Sequence, residues 1–191
     1  MYPEYVEVDG QKYKINTDFR IAIECNRIAE DETINNSERT LAIIYILFGE
    51  EALNKTKNYQ KLFELAIKYL KCGKEIETNN NLEPDMDYIQ DMPYIKASFR
   101  SDYGIKLDEE KIHWWEFNEL MNGLSNSEIG NCCILNRIRN LRNFNTKDIK
   151  DTKTRNEIEK AKREVALKAK KTKATKEQQE SAKKFFDALG I

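Results

Sequence analysis

The run Ile112-His113-Trp114-Trp115-Glu116-Phe117-Asn118-Glu119-Leu120-Met121-Asn122-Gly123-Leu124 limits the fold more than any other stretch of the chain. Both tryptophans, the single histidine and a phenylalanine fall within five positions of one short predicted helix. At helical spacing, Trp114, Phe117, Met121 and Leu124 form one apolar stripe, while Ile112 and Trp115 point to a second face. A helix that is apolar on two sides must be covered on two sides, by its own domain or by another chain. Adjacent residues lie about 100° apart on a helix, so one compact core does not readily enclose both indoles. At least one of them is expected to meet a loop, a hairpin or a second protein.

The N-terminus reads as that hairpin. Tyr5-Val6-Glu7-Val8 and Gln11-Lys12-Tyr13-Lys14-Ile15 flank Asp9-Gly10, a pair suited to the positive φ angles of a two-residue type I′ turn. Val6, Val8, Tyr13 and Ile15 alternate with charged residues, which gives the ribbon one buried face. A two-stranded ribbon is marginal alone and must lie on helices.

Helix signals fill most of the chain beyond the hairpin. Thr17 or Asp18 caps a segment to about Ala29, with Phe19, Ile23 and Ile28 inward. Ser37 caps a second, ended by Gly49 after Phe48, whose Leu41, Ile43, Ile44, Ile46 and Leu47 suit the middle of a bundle. A third runs from about Asn58 to Cys72, with Gly73 at its end. Residues 77–84 form a polar, Asn-rich loop. Asp91 caps a fourth, with Pro93 in its first turn and Gly104 as a left-handed stop. Tyr94, Ile95, Phe99 and Tyr103 form its apolar face. Asp108 is expected to cap the tryptophan helix, and Ser125 or Ser127 to start another through Leu141. Beyond Thr146 the periodicity weakens until a last helix, about 176–189, whose stripe is Ala182, Phe185, Phe186 and Leu189.

Charge divides the chain at the same place. Residues 146–191 carry 14 Lys+Arg against 8 Asp+Glu, while residues 1–145 carry 18 against 25. An acidic helical domain over 1–145 is therefore expected to bear a basic, charged helical tail over 146–191. No apolar run is long enough for a membrane span, and the N-terminus has no signal-peptide pattern. The four cysteines, at 25, 72, 132 and 133, lack zinc-site spacing and read as reduced, small apolar groups.

Catalytic patterns are missing. Every glycine has a turn or helix-end position, and no phosphate-cradling glycine loop is present. With one histidine, His-based triads and paired-His zinc sites are limited or excluded, and His113 reads as a packed or surface residue. Asp85, Asp87 and Asp91 surround a helix start, where capping accounts for them without a metal. No cofactor, metal or catalytic residue is expected. The tail's cations are interleaved with glutamates from Arg155 to Glu164, the pattern of a solvated helix with i, i+4 pairs, and this argues against specific nucleic-acid binding.

Several of these pieces, taken in order, carry a resemblance. Val8-Asp9-Gly10, Ile15-Asn16-Thr17-Asp18-Phe19-Arg20, Ala97-Ser98-Phe99, Tyr103-Gly104-Ile105 with Leu107, His113-Trp114-Trp115-Glu116-Phe117 and Leu120-Met121-Asn122-Gly123-Leu124 resemble the bacteriophage "gene product fifteen" family of long-tailed phages and prophages of Gram-positive hosts. The paired tryptophans are the most specific part. The resemblance covers roughly residues 5 to 145 and brings no catalytic motif with it. Family members sit between the tail-tube and tape-measure genes, which implies a tail assembly chaperone. Such a protein holds the aggregation-prone tape-measure protein, helps recruit tail-tube subunits in the host cytoplasm, and leaves before the virion is mature.

The expectation is thus a mainly α protein: a helical bundle with an N-terminal β-hairpin and a charged C-terminal helical extension. It is non-enzymatic, off the membrane and open to self-association. Trp114, Trp115, Phe117 and Met121 are candidate partner anchors in the body, with Phe185, Phe186 and Leu189 as a hook in the tail. A structural tail component and a nucleic-acid-binding phage regulator are the rival readings.

Overall fold

A computed structural model describes residues 1–74, 84–126 and 132–168. Among these residues the chain is mainly α, with one β-hairpin and eight helices. They fall into two compact units, one of residues 1–74 and 112–118 and one of residues 84–111, 119–126 and 132–168.

The first unit opens with the expected hairpin. Strands β1 (Tyr5–Val8) and β2 (Gln11–Lys14) pair antiparallel with Val8 opposite Gln11 and Val6 opposite Tyr13. Asp9 and Gly10 have φ of 52° and 77°, as a type I′ turn requires. Val8, Tyr13 and Ile15 are buried, and the face carrying Tyr5, Glu7, Lys12 and Lys14 is exposed.

Four helices complete this part of the chain. Helix α1 (Phe19–Ala29) is capped by Asp18, whose carboxylate accepts from the Arg20 N–H at 2.9 Å, and buries Phe19, Ile23 and Ile28. Helix α2 (Asn36–Phe48) packs against α1, α3 (Glu50–Lys55) and α4 (Tyr59–Leu70), with Ile43, Ile44 and Leu47 wholly enclosed. Its cap is Asn35, in place of Ser37. The Asn35 carboxamide accepts from the Glu38 N–H at 2.9 Å while Glu38 accepts from the Asn35 N–H at 3.1 Å. Asn35 wins because that reciprocal box satisfies two end donors at once. Helix α3 has no sequence signal because its six residues hold only Ala52 and Leu53 as apolar groups. Asn58 caps α4 by accepting from the Lys61 N–H at 3.1 Å.

The second unit is built on α5 (Met92–Tyr103) and α7 (Ile134–Asn143), packed against each other. Ile95, Ser98, Phe99 and Leu135 have no exposure. Helix α5 stops on Gly104 at φ 72°, as expected. Asp91 does not cap it with its side chain. That carboxylate is buried and accepts from both Nη groups of Arg142 at 2.7 Å each, and from the Asp87 N–H at 3.0 Å. Arg142 also donates to the Asp85 carbonyl at 2.8 Å, and Asp85 receives Arg139 at 3.2 Å. The acidic cluster is a structural anchor for two arginines. Among the described residues no group of His, Cys, Asp or Glu could hold a metal ion.

Helix α7 begins at Ile134, well after the expected Ser125 or Ser127. Ser125 is held elsewhere, donating from its N–H and Oγ to Asp102 at 2.8 Å each. The α7 start is fixed by Ser98 Oγ, which accepts from the Leu135 N–H at 3.1 Å, and by Cys133 Sγ, which accepts from Asn136 N–H at 3.5 Å. Position 127 lies outside the described residues.

Helix α8 (Thr152–Val165), capped by Asp151, packs on α7. Residues 146–168 therefore belong with α5 and α7, and the units do not divide at residue 145 as charge suggested. The reason is Arg142, whose Nε donates to the Val165 carbonyl at 2.7 Å. The expected helix near 176–189 lies outside the described residues. No helix among the described residues is long and apolar enough to cross a membrane.

Candidate docking site

The tryptophan helix, α6 (Trp114–Gly123), is placed by residues just before it. His113 bridges antiparallel to Asp18, Phe19 N–H donates to the Ile112 carbonyl at 3.0 Å, and Trp114 N–H donates to the Thr17 carbonyl at 2.8 Å. Asp108 plays no part in capping α6, because it pairs with Lys96 at 2.5 Å. His113 takes that position. Its Nδ1 accepts from the Trp115 N–H at 3.0 Å, and its Nε2 lies 3.1 Å from the Pro3 carbonyl. Those two partners define the neutral tautomer with hydrogen on Nε2. The ring also stacks on Tyr2, with centroids 4.9 Å apart. It is a packed, doubly engaged side chain.

This geometry delivers two adjacent indoles to the last turn of α4. The last carbonyls of a helix lack partners within it. Trp114 Nε1 donates to the Leu70 carbonyl at 2.8 Å and Trp115 Nε1 to the Tyr69 carbonyl at 3.0 Å. The pair acts as a side-chain cap on the C-terminal end of α4. Next to it, Trp114 stacks on Phe117 (5.8 Å) and Phe117 on Phe19 (4.5 Å), a ladder of three rings. Trp114 is 2% exposed and Phe117 0%. As core side chains they offer no area to a partner in this conformation.

Trp115 is half-buried and lies over Gly73. A Cβ at Gly73 would sit 3.3 Å from the indole edge, on a backbone with φ of 74°. Gly73→Ala is therefore expected to cost about 1–2 kcal/mol, from the left-handed strain that glycine avoids, plus a shift of Trp115. Thermal melts and tryptophan fluorescence should report both, and an unchanged spectrum would remove the contact.

Met121 is half-buried in the second unit. Phe185, Phe186 and Leu189 lie outside the described residues. Beyond Met1, sequence periodicity does not single out the large apolar side chains that are most exposed: Tyr5 and Tyr59 in the first unit, Ile89 and Phe144 in the second. Only Tyr5 carries a usable signal, since it falls on the outward phase of its strand.

The thiols fit a packing role. All four are free, and burial, with the Glu24 charge adding to it, pushes the Cys25 thiol up to about 12. Such a thiol stays protonated and unreactive near neutral pH. The Tyr69 phenol is likewise raised, mainly by burial, and its hydroxyl is enclosed.

Comparison with known proteins gives two results of unequal weight. Three isoleucine–tRNA ligases from strains Tuc7, 5A and APS of Buchnera aphidicola subsp. Acyrthosiphon pisum are 30% identical over 139 residues, 73% of this chain. The chain spans only 13% of the length of each ligase. No solved structure matches the chain. The family described as Bacteriophage Gp15 protein matches residues 2–167, which include the hairpin, the paired-indole cap and the Asp91–Arg142 pair, and the chain belongs to that family.

Proposed function

We propose that the protein is a non-enzymatic tail assembly chaperone, which binds the phage tape-measure protein and helps recruit tail-tube subunits in the host cytoplasm. The observation that carries this reading is the family match across residues 2–167, whose coarse meaning is a phage structural or morphogenesis protein. The geometry supports a holding role over a chemical one. The sole histidine is engaged at both nitrogens, and the aspartates near the α5 start neutralise arginines. The ligases' activity is not carried over, since most of the enzyme is outside the 13% that aligns.

Co-expression with the tape-measure protein of the same phage tests this. The tape-measure protein should be soluble and co-purify with this chain, and should aggregate when expressed alone. Mass spectrometry of finished particles should find this chain absent or far below one copy per tail ring. Stoichiometric retention would make it a structural tail component instead, and binding to nucleic acid that fades with added salt would favour the regulator reading.

A further inference from the structure

We propose that α8 is a displaceable occupant of its seat on α7, and that this seat is where the protein holds an amphipathic helix of its partner. The inference rests on the holding role above and adds the surface that performs it.

Two kinds of packing meet on α7. Against α5 it encloses Ile95, Phe99 and Leu135 completely. Against α8 the packing is looser, because no residue of α8 is fully buried. The apolar residues of α8 that turn inward, Ile158, Ala161 and Val165, are at i, i+3 and i+7 and are only half-buried. A helix with so little buried apolar surface opens locally at a small cost compared with its neighbours.

What keeps α8 in place is mostly polar, and much of it is made to main chain. Arg142 Nε donates to the Val165 carbonyl at 2.7 Å, at the end of the helix. The Gln90 side chain pairs with Lys168 in both directions, donating to its carbonyl at 3.1 Å and accepting from its N–H at 2.8 Å. Lys162 reaches the Phe144 carbonyl at 2.6 Å, and Thr146 bonds Glu159. Main-chain groups are the same in every sequence, so Arg142 and Gln90 read the end of a helix without reading which helix it is. Arg142 does not depend on α8 for its position, since Asp91 holds both its Nη groups.

The seat therefore fits a helix with small or branched apolar residues at i, i+3 and i+7, ending in a few extended residues. Residues 144–151, which join α7 to α8, contain no helix or strand and give α8 a tether on which to swing away. An exposed Phe144 stands at the start of that tether, where an arriving helix gains apolar contact.

Native-state hydrogen exchange on the full chain tests the first half. The amides of α8 should exchange by local opening, at least about 100-fold faster than those of α7. A fluorescein-labelled peptide of residues 151–168 tests the second half. It should bind the full-length Ile158→Ser/Val165→Ser variant at least tenfold tighter than the wild type, because the variant's resident helix is loosened while the seat is intact. Exchange of α8 only together with α7, or a peptide that binds neither protein, would overturn the proposal. A wild-type dimer in light scattering that Ile158→Ser/Val165→Ser abolishes would make a second copy the occupant of the seat and overturn the assignment to the partner. Peptide binding that the co-expressed partner fails to compete away would leave α8 displaceable and overturn its use for that partner, which separates this inference from the holding role.

Discussion

Arg142→Ala is expected to destabilise the α5–α7–α8 unit by about 3–5 kcal/mol, the largest loss available to a single substitution outside the aromatic core. The Arg142 side chain is 10% exposed and the Asp91 side chain 1%. Removing the cation leaves a carboxylate enclosed with one N–H donor, from Asp87, and no opposite charge beside it. The Val165 and Asp85 carbonyls lose their donor in the same step. In a chain of this size the cost corresponds to a fall of about 10 °C in melting temperature. The double variant Asp91→Leu/Arg142→Met separates charge burial from packing. It should recover more than half of the loss, because replacing both members of a buried pair is far milder than stranding one. A single variant that melts like the wild type would show that the pair contributes nothing, and a double variant no better than the single would move the cost to the two carbonyls.

Trp114→Ala should cost about 3–5 kcal/mol as well, by a different route. The substitution opens a cavity beside Phe117 and strips the Leu70 carbonyl of its donor. Trp114→Phe keeps most of the volume and loses only the N–H, so it should cost about 1–2 kcal/mol more than packing alone predicts. Trp115→Ala should be milder than Trp114→Ala, since the ring is half-buried and the Tyr69 carbonyl still accepts from the Cys72 N–H at 2.9 Å after its loss. Circular dichroism melts of the three variants give the ranking. If Trp115→Ala proved the more damaging, the core would not be where the ring ladder puts it. A Trp115→Ala protein that still folds is also the variant in which to measure partner capture, because Trp114→Ala confounds binding with unfolding.

Where structure agrees with the residue pattern, the information is local. The type I′ turn at Asp9-Gly10, the Asp18 and Asn58 caps and the stops at Gly49 and Gly104 each depend on residues within a few positions of one another. The departures at Asp91, Ser125 and Asp108 share one cause, a partner distant in sequence. Asp91 stands before Pro93 where a cap belongs, and Arg142, 51 positions away, takes its carboxylate. Ser125 has the chemistry of a helix start, and Asp102 takes it instead. Asp108 gives way to His113 because Lys96 holds the one and the Trp115 N–H reaches the other.

The candidate site divides in the same way. Sequence periodicity shows that two tryptophans side by side need cover on two faces, and it offers a core or a partner as the cover. Tertiary structure supplies the last turn of α4, where the Trp114 indole N–H finds the Leu70 carbonyl that the helix itself cannot satisfy, and the Trp115 indole N–H shares the Tyr69 carbonyl with the Cys72 N–H. By itself, the sequence determined the hairpin, the apolar stripes and the helix stops at glycine, because those follow from backbone preference and period. Which distant group meets each buried donor or charge was decided only by the fold. A main-chain carbonyl leaves no mark in the amino-acid pattern, so its partner is known only once the chain has brought the two together.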